Sequence, residues 1–438
     1  MSNATKMSAK ARIDALVDAN SFVEIGADIT KRSTDFNEDV KEVPADGVIT
    51  GYGTIDENLV FVYSQDAEAM NGSIGEMHAK KISSLYHMAV KAGAPIIGLI
   101  DCAGIRVGES LDAIAGFGEI YLAKVSASGV IPQISAVLGS CGGGVAISAG
   151  LSDITLMDNA SGALFVNSPN AILGNFKEKL DTSGAAFQAE AGNVDIVCDS
   201  ETEVFGEIRK LIGLLPANAG MVAAGDPKDD LNRTIDEIGF GKDAIEAVAD
   251  EGIFVELKKD FGKEMSVGLI SIDGRTVGAI ANSADGVLST DGCKKAEQFI
   301  YFCDSFGLPI ITFTNVSSYA SDMAEEKTIA KGVADMTYAF ASSDVPRINL
   351  IVGDAYGSAY LAMNSKHIGA DLVLALDSAN VGVMDAALAA ENLKVDKDQI
   401  EEIQKGAKGA ARRGYVDNVI PVSDSRKHLI YALQMFGM

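Results

Sequence analysis

Residues 130–145 read VIPQISAVLGSCGGGV, and residues 345–359 read VPRINLIVGDAYGSA. Each stretch sets a proline before an apolar run that ends in glycine. Pro132 and Pro346 are 214 residues apart, as are Gly139 and Gly353. A second pair of blocks keeps this spacing. Residues 93–102, GAPIIGLIDC, match residues 307–316, GLPIITFTNV, with Pro95 and Pro309 again 214 apart. One offset shared by two separated blocks predicts a duplicated domain.

Each half follows one plan. A hairpin opens it: residues 46–66 turn at ENL, and residues 268–282 turn at DGR. A helical stretch follows, then a short buried strand, another helix, and a strand that ends at the glycines. This alternation predicts α/β layering. Ser73 and Glu76, in GSIGEMHAKKI, have the spacing of a capping box at a helix start. Gly307 is placed to end the matching helix of the second half. The region around 220–250 is rich in Gly, Asp and Lys and reads as a linker. The expected domains are therefore 1–235 and 236–438.

Glycine after a buried strand permits a tight turn and close backbone approach. If a helix starts there, its first N–H groups have no intrahelical partner and favour an anion or a developing oxyanion. The candidates are Gly142, Gly143, Gly144 and Val145 in the first half, and Gly357, Ser358 and Ala359 in the second. The alternative is close helix–strand packing without chemistry. GSCGGG lacks the GxGxxG spacing of a dinucleotide site, and no GK[ST] follows as in a Walker A loop.

Composition narrows the classes. The 438 residues are 47% hydrophobic, enough for two or three packed domains. A net charge of −25 opposes nonspecific nucleic-acid binding. Five cysteines without CxxC spacing fit a reducing compartment. Four histidines without HExxH give no zinc signature. No apolar run approaches the roughly 18 residues of a membrane span, and the first residues lack a signal-peptide core. A cytoplasmic protein is expected, with membrane attachment open through a partner.

Polar candidates near strand ends are few. Asp101 reads as a helix cap. Arg106 can bind a phosphate or carboxylate, or form an ion pair. His78 and His87, nine residues apart on one helix, read as structural. Lys80 and Lys81 can attract phosphate or simply meet solvent. Tyr356 and Tyr360 can line a pocket or pack in a core.

These stretches, with ARIDALVDANSFVEIG (11–26), DGVITGYGTIDENLVFVYSQD (46–66) and RRGYVDNVIPVSDSRKHLIYAL (412–433), run through nearly the whole chain. In order, they resemble the carboxyltransferase component of biotin-dependent acyl-CoA carboxylases and decarboxylases. The resemblance implies two crotonase-like domains of β-β-α spiral type, the first on the acyl-CoA side and the second on the biotin side. It implies a homotrimer, or a hexamer built as a dimer of trimers, with sites shared between subunits.

The implied catalytic groups are the backbone N–H donors of Gly142, Gly143 and Gly144 for a CoA thioester oxygen. Gly357, Ser358 and Ala359 would serve a biotin ureido oxygen in the same way. Ser73, Gly75, Ala103, Gly104, Arg106 and Tyr356 are the implied cofactor-binding residues. Catalysis would then be placement plus oxyanion stabilisation, with no Ser-His-Asp set. No biotinyl-lysine MKM sequence occurs, so biotin is expected on a separate carrier protein. A membrane decarboxylase subunit or a biotin carboxylase subunit is a further implied partner. Neither the acyl group nor the direction of transfer follows from the sequence: propionyl/methylmalonyl and glutaryl/glutaconyl types both fit.

The chain also departs from the pattern. VSSYASDM (316–323) stands where the family has VPGFLPG, CAGIR (102–106) where it has SGGAR, and NSPNAILGN (167–175) where it has TGP and VTGE. Ser358 stands where the family repeats a glycine, and keeps its backbone N–H. Two other readings follow: a biotin-independent crotonase-type enzyme on a CoA thioester, or an impaired scaffold subunit. The first needs a side-chain acid or base at the thioester hole. The second predicts a blocked pocket around 316–323 or a misplaced oxyanion hole at 357–359.

Overall fold

The computed structural model describes residues 6–32, 43, 45–227, 229–404 and 406–437. The chain divides into two units, Met1–Met221 and Val222–Met438. The division falls inside the expected linker region but earlier than 235. The reason is local: Gly225 N–H donates to Gly274 O at 2.6 Å, and the Arg233 guanidinium donates to the Ala247 and Ala249 carbonyls. These bonds tie the stretch to the second unit.

Unit 1 has strands β1 (Val23–Ile25), β2 (Val48–Ile55), β3 (Asn58–Gln65), β4 (Ile96–Cys102), β5 (Gln133–Gly142), β6 (Ile154–Asp158), β7 (Ala163–Phe165) and β8 (Ile196–Cys198). They form one sheet in the order β1-β2-β3-β4-β5-β6-β8, with β7 pairing the far end of β5. Unit 2 has β9 (Phe254–Leu257), β10 (Met265–Ile272), β11 (Arg275–Asn282), β12 (Val287–Leu288), β13 (Ile310–Val316), β14 (Ser318–Tyr319), β15 (Arg347–Tyr356), β16 (Leu372–Leu376), β17 (Asn380–Gly382) and β18 (Asn418–Ile420). Its sheet order is β18-β16-β15-β13-β11-β10-β9, with β17 pairing β15. In both sheets an antiparallel hairpin leads into parallel strands, as in a duplicated crotonase-like fold.

The duplication holds residue by residue where it matters. β4 and β13 share their limits at the 214-residue spacing, and so do β5 and β15. All seven positions of β4 and of β13 are buried, as in a parallel sheet covered on both faces. The hairpin turns sit at Asp56–Glu57 and Asp273–Gly274, all four with positive φ, which suits the twist of a two-residue hairpin loop.

The helices that matter are α1 (Ala9–Leu16), α2 (Glu76–Ala92), α3 (Ser110–Ala127), α4 (Gly144–Gly150), α5 (Glu201–Leu214), α6 (Thr290–Ser305), α7 (Ile329–Ser342) and α8 (Gly357–Ala362). Helix α2 starts at Glu76, but Ser73 does not cap it. Gly75 is the N-cap residue, and the Glu109 carboxylate receives the Glu76 N–H at 2.6 Å. A distant side chain thus replaces the expected capping box. Gly93 (φ 66°) and Gly307 (φ 65°) follow α2 and α6 in the left-handed region, as helix-ending glycines do.

Asp101 is buried in β4 and is no helix cap. It binds Arg12 at 3.0 Å and Lys6 at 2.6 Å, and Arg12 also binds Glu201 at 2.6 Å. The charges of Asp101, Arg12 and Glu201 are therefore paired with one another, which offsets the cost of their burial.

Candidate functional site

In unit 1 three segments meet. The end of β4 pairs with the end of β5 through Cys102 and Cys141. Beyond it, Ala103 N–H donates to Asn71 O at 3.0 Å, Ile74 N–H to Gly104 O at 2.9 Å, and Arg106 N–H to Ile74 O at 2.9 Å. A Cβ on Gly104 would lie 3.6 Å from Gly142 O, so residues 71–75, 102–106 and 142–145 form one cluster. Within it lie the predicted Ser73, Gly75, Ala103, Gly104 and Arg106.

At Gly143 the chain turns out of β5 with φ 60° and ψ −124°, a conformation that only glycine adopts without strain. Gly143 N–H is used inside the fold, donating to Phe165 O at 2.8 Å. It is therefore a hinge rather than a free donor. Gly144 and Val145 open α4, and their N–H groups have no partner within it. The Tyr121 hydroxyl steadies the turn through Gly144 O at 2.7 Å.

Arg106 is spent inside the cluster. Its guanidinium binds Asp46 at 2.6 Å, Glu109 at 2.7 Å and the Ser73 carbonyl at 2.7 Å, and it is buried. It therefore fastens the loop before α2 to the loop after β4 and is not open to a phosphate. Gly75 is required here, because a Cβ would meet Arg106 Nη1 at 2.5 Å. Burial pushes the Asp46 carboxyl above its usual range, against the pull of Arg106. Burial also pushes Cys102 up to about 12 and Cys141 still higher, so neither thiol is a nucleophile.

Unit 2 repeats the cluster. Ser317 N–H donates to Gly286 O at 2.8 Å and Ala320 N–H to Leu288 O at 2.8 Å, while β12 and β14 form a short parallel ladder. Gly357 turns out of β15 with φ 59° into α8. The unusual stretch thus keeps at 317–320 the backbone bonds of 103–106, and departs from unit 1 beyond them, where the 3-10 turn at Val107–Glu109 has no counterpart at 321–323.

A cavity of about 360 Å³ opens here, lined by Ser317–Ser321, Glu326, Ile329, Tyr356, Gly357, Ser358 and Ala359. The predicted Tyr356, Gly357, Ser358 and Ala359 all face it. Tyr360 is buried beside it, and burial pushes both tyrosines up to about 12, so they stay protonated.

Sequence reasoning missed Asp46, Glu109 and Tyr121 as supports of the first cluster, and the bond from Tyr319 Oη to Ser358 Oγ at 2.9 Å in the second. The 214-residue spacing carried a signal for the last pair: it aligns Tyr319 with Ile105 and Ser358 with Gly144. His78 is buried against Gln65 and Asp46. Lys81 donates to the Ala45 and Val48 carbonyls, and Lys80 pairs with Glu76. No helix among the described residues is long and apolar enough to cross a membrane.

The carboxyl transferase domain family matches residues 2–436. The methylmalonyl-CoA decarboxylase alpha subunit of Veillonella parvula is 37% identical over 460 aligned positions, covering 99% of this chain and 90% of its own. The propionyl-CoA carboxylase beta chain of Roseobacter denitrificans is 34% identical, with 98% and 90% covered. Among solved structures, the transcarboxylase 12S hexamer with hydrolysed methylmalonyl-coenzyme A bound superposes with a TM-score of 0.94. It is 32% identical, with 99% of this chain and 90% of that one covered.

Proposed function

The chain belongs to the carboxyl transferase family, and from that premise we propose that unit 1 holds the acyl-CoA thioester and unit 2 the biotin ring. The protein is an enzyme, a carboxyltransferase that moves a carboxyl group between an acyl-CoA and biotin. One observation carries the division of labour. Gly143 and Gly357, 214 residues apart, each turn from a parallel strand into a helix with φ near +60°, and the second turn opens on a cavity. Two matched turns with different surroundings suit two reacting oxygens.

The residues present fit a cyclic urea. Small side chains at Gly357 and Ala359 leave room, and the hydroxyls of Ser317, Ser318, Tyr319 and Ser358 offer donors and acceptors. Bound biotin supplies the ureido nitrogen that carries or receives the carboxyl group. Ser358 and Ala359 offer backbone N–H groups to the ring oxygen. In unit 1, Gly144 and Val145 offer theirs to the thioester oxygen, where negative charge grows as the α-carbon loses its proton or carboxyl. Ala103 and Gly104 let the thioester approach, and Arg106 holds the wall in place.

The acyl group is proposed to be of the methylmalonyl/propionyl class, on the strength of the relatives. Biotin is proposed to arrive on a separate carrier protein, and the working form to be a ring of subunits, as in the hexameric relative. Against the scaffold reading stand the open cavity at 317–321 and the turn at Gly357, which enters its helix with φ 59° as Gly143 does with φ 60°. The biotin-independent reading needs a free acid or base at the thioester. Asp46 and Glu109, the carboxylates of that cluster, are both bound to Arg106.

The test is decarboxylation of malonyl-, methylmalonyl- and glutaconyl-CoA with free biotin. Turnover of methylmalonyl-CoA that requires biotin is expected. Equal turnover without biotin would overturn the reading.

A further inference from the structure

The two units close the same frame with different side chains at two matched positions. Ile105 and Gly144 in unit 1 correspond to Tyr319 and Ser358 in unit 2. The backbone bonds are otherwise alike. Ala103 N–H to Asn71 O at 3.0 Å corresponds to Ser317 N–H to Gly286 O at 2.8 Å, and the parallel pair Ile74–Ile105 to Leu288–Tyr319. The frame in unit 1 closes with no hydroxyl at either position, so closure does not explain the two in unit 2.

Those two hydroxyls meet at the surface of the cavity. Tyr319 Oη donates to Ser358 Oγ at 2.9 Å, and both residues line the cavity with Tyr356, Gly357 and Ala359. Because Ser358 Oγ accepts this bond, its own proton is left to donate to a third group. A hydroxyl that accepts a bond is also a stronger donor. The geometry points to Ser358 as a side-chain hydrogen-bond donor to the ureido oxygen of biotin, with Tyr319 as the residue that positions it. The inference rests on the reading of unit 2 as the biotin side. It adds a side-chain donor to the backbone N–H groups, and the matched position in unit 1, Gly144, has none. Charge that grows on the ring oxygen during transfer is what such a donor favours.

The test uses the full chain in its assembled form, with d-biotin and its 2-thio analogue as probes. Binding is read by saturation-transfer NMR, without turnover. Sulfur is a poor acceptor, so wild type is expected to prefer the oxygen compound. Ser358→Ala should reduce that preference about 3- to 10-fold, and Tyr319→Phe by a smaller factor. Biotin-dependent kcat should fall roughly 10- to 100-fold in Ser358→Ala, since the bond strengthens as charge develops. The KM for the CoA thioester should not move. Ser358→Gly, which installs the residue found at the matched position of unit 1, should behave like Ser358→Ala.

A retained oxygen preference and kcat in Ser358→Ala would overturn the inference alone. So would a joint fall in thermal stability and rise in the thioester KM in both variants with the preference intact, since that describes a structural pin. Wild type that binds CoA thioesters but shows no biotin-dependent turnover would overturn the functional reading, and the inference with it.

Discussion

Asn315 fills the space that Gly353 leaves open. The Cβ that Gly353 lacks would fall against Asn315 Oδ1 and 2.9 Å from Phe240 Cε1. Asn315 Oδ1 accepts the Asp354 N–H at 3.0 Å, and its amide nitrogen donates to Ser283 O at 2.9 Å. Gly353→Ala should therefore displace Asn315 and loosen the end of β15 just before the Gly357 turn. Overpacking of this kind costs about 1–3 kcal/mol. Thermal unfolding checks it, and an unchanged midpoint would show that the pocket relaxes freely.

Asp101 stands against Gly139 in unit 1 as Asn315 stands against Gly353, but it carries a charge that Arg12 neutralises. Asp101→Asn keeps the shape and removes the charge. Arg12 retains Glu201 at 2.6 Å, so the loss should fall below the roughly 3–5 kcal/mol of a fully broken buried pair, at about 1–3 kcal/mol. Urea midpoints of Asp101→Asn and Asp101→Ala give the comparison, with alanine expected to be the worse of the two.

The strands and the glycine turns were legible because they recur. Apolar runs, prolines and glycines at one spacing run through β4, β5, β13 and β15. The supports of the site were not legible, because their partners are far apart in sequence. Glu109 caps α2 from 33 residues away, and Arg106 finds Asp46 60 residues upstream. Nothing near Ser73 distinguishes a capping box from a loop that an arginine holds. Tyr319 and Ser358 are 39 residues apart, and only the overlay of one half on the other shows that their positions are matched by an isoleucine and a glycine.

Arg106 is expected to act on the loops. Arg106→Ala leaves Asp46 and Glu109 facing each other in a buried site, and loss of one partner of such a cluster costs about 3–5 kcal/mol. Differential scanning calorimetry should show the fall in unit 1. Arg106→Ala with Asp46→Asn and Glu109→Gln should recover part of it, because the stranded charges are gone. A phosphate-binding role would instead leave stability intact and raise only the KM for the CoA thioester.

His78 should make the fold acid-sensitive. Nδ1 lies 3.0 Å from Asp46 O, which can only accept, and Nε2 lies 3.2 Å from the Gln65 amide nitrogen, which can only donate. The neutral ring is thus fixed in one tautomer, and burial lowers its pKa to about 3 from 6.5. Between these values the unfolded chain binds a proton that the folded chain refuses. The contribution of His78 is therefore complete above pH 6.5 and is lost as pH falls toward 3, by about 1.4 kcal/mol per unit at most. Urea midpoints at pH 7.5 and 5.0 should fall further apart in wild type than in His78→Gln. Equal shifts would place the acid sensitivity elsewhere.

Gly143 is where strain and chemistry separate most cleanly. A Cβ there would meet nothing within 4 Å, so a side chain has room. The obstacle is φ 60° with ψ −124°, which costs an ordinary residue about 1–3 kcal/mol. Relief of that strain turns the peptide toward Gly144 and aims its N–H away from the proposed place of the thioester oxygen. Gly143→Ala is therefore expected to lower kcat roughly 100-fold, the usual loss for one oxyanion donor, while Tm falls only a few degrees. Gly206, inside α5 and with nothing within 4 Å of its absent Cβ, is the matched control. Gly206→Ala should leave kcat unchanged and raise stability by about 1 kcal/mol, because alanine favours a helix over glycine by that amount. If Gly143→Ala keeps its kcat, the oxyanion donors are not the ones that follow this turn.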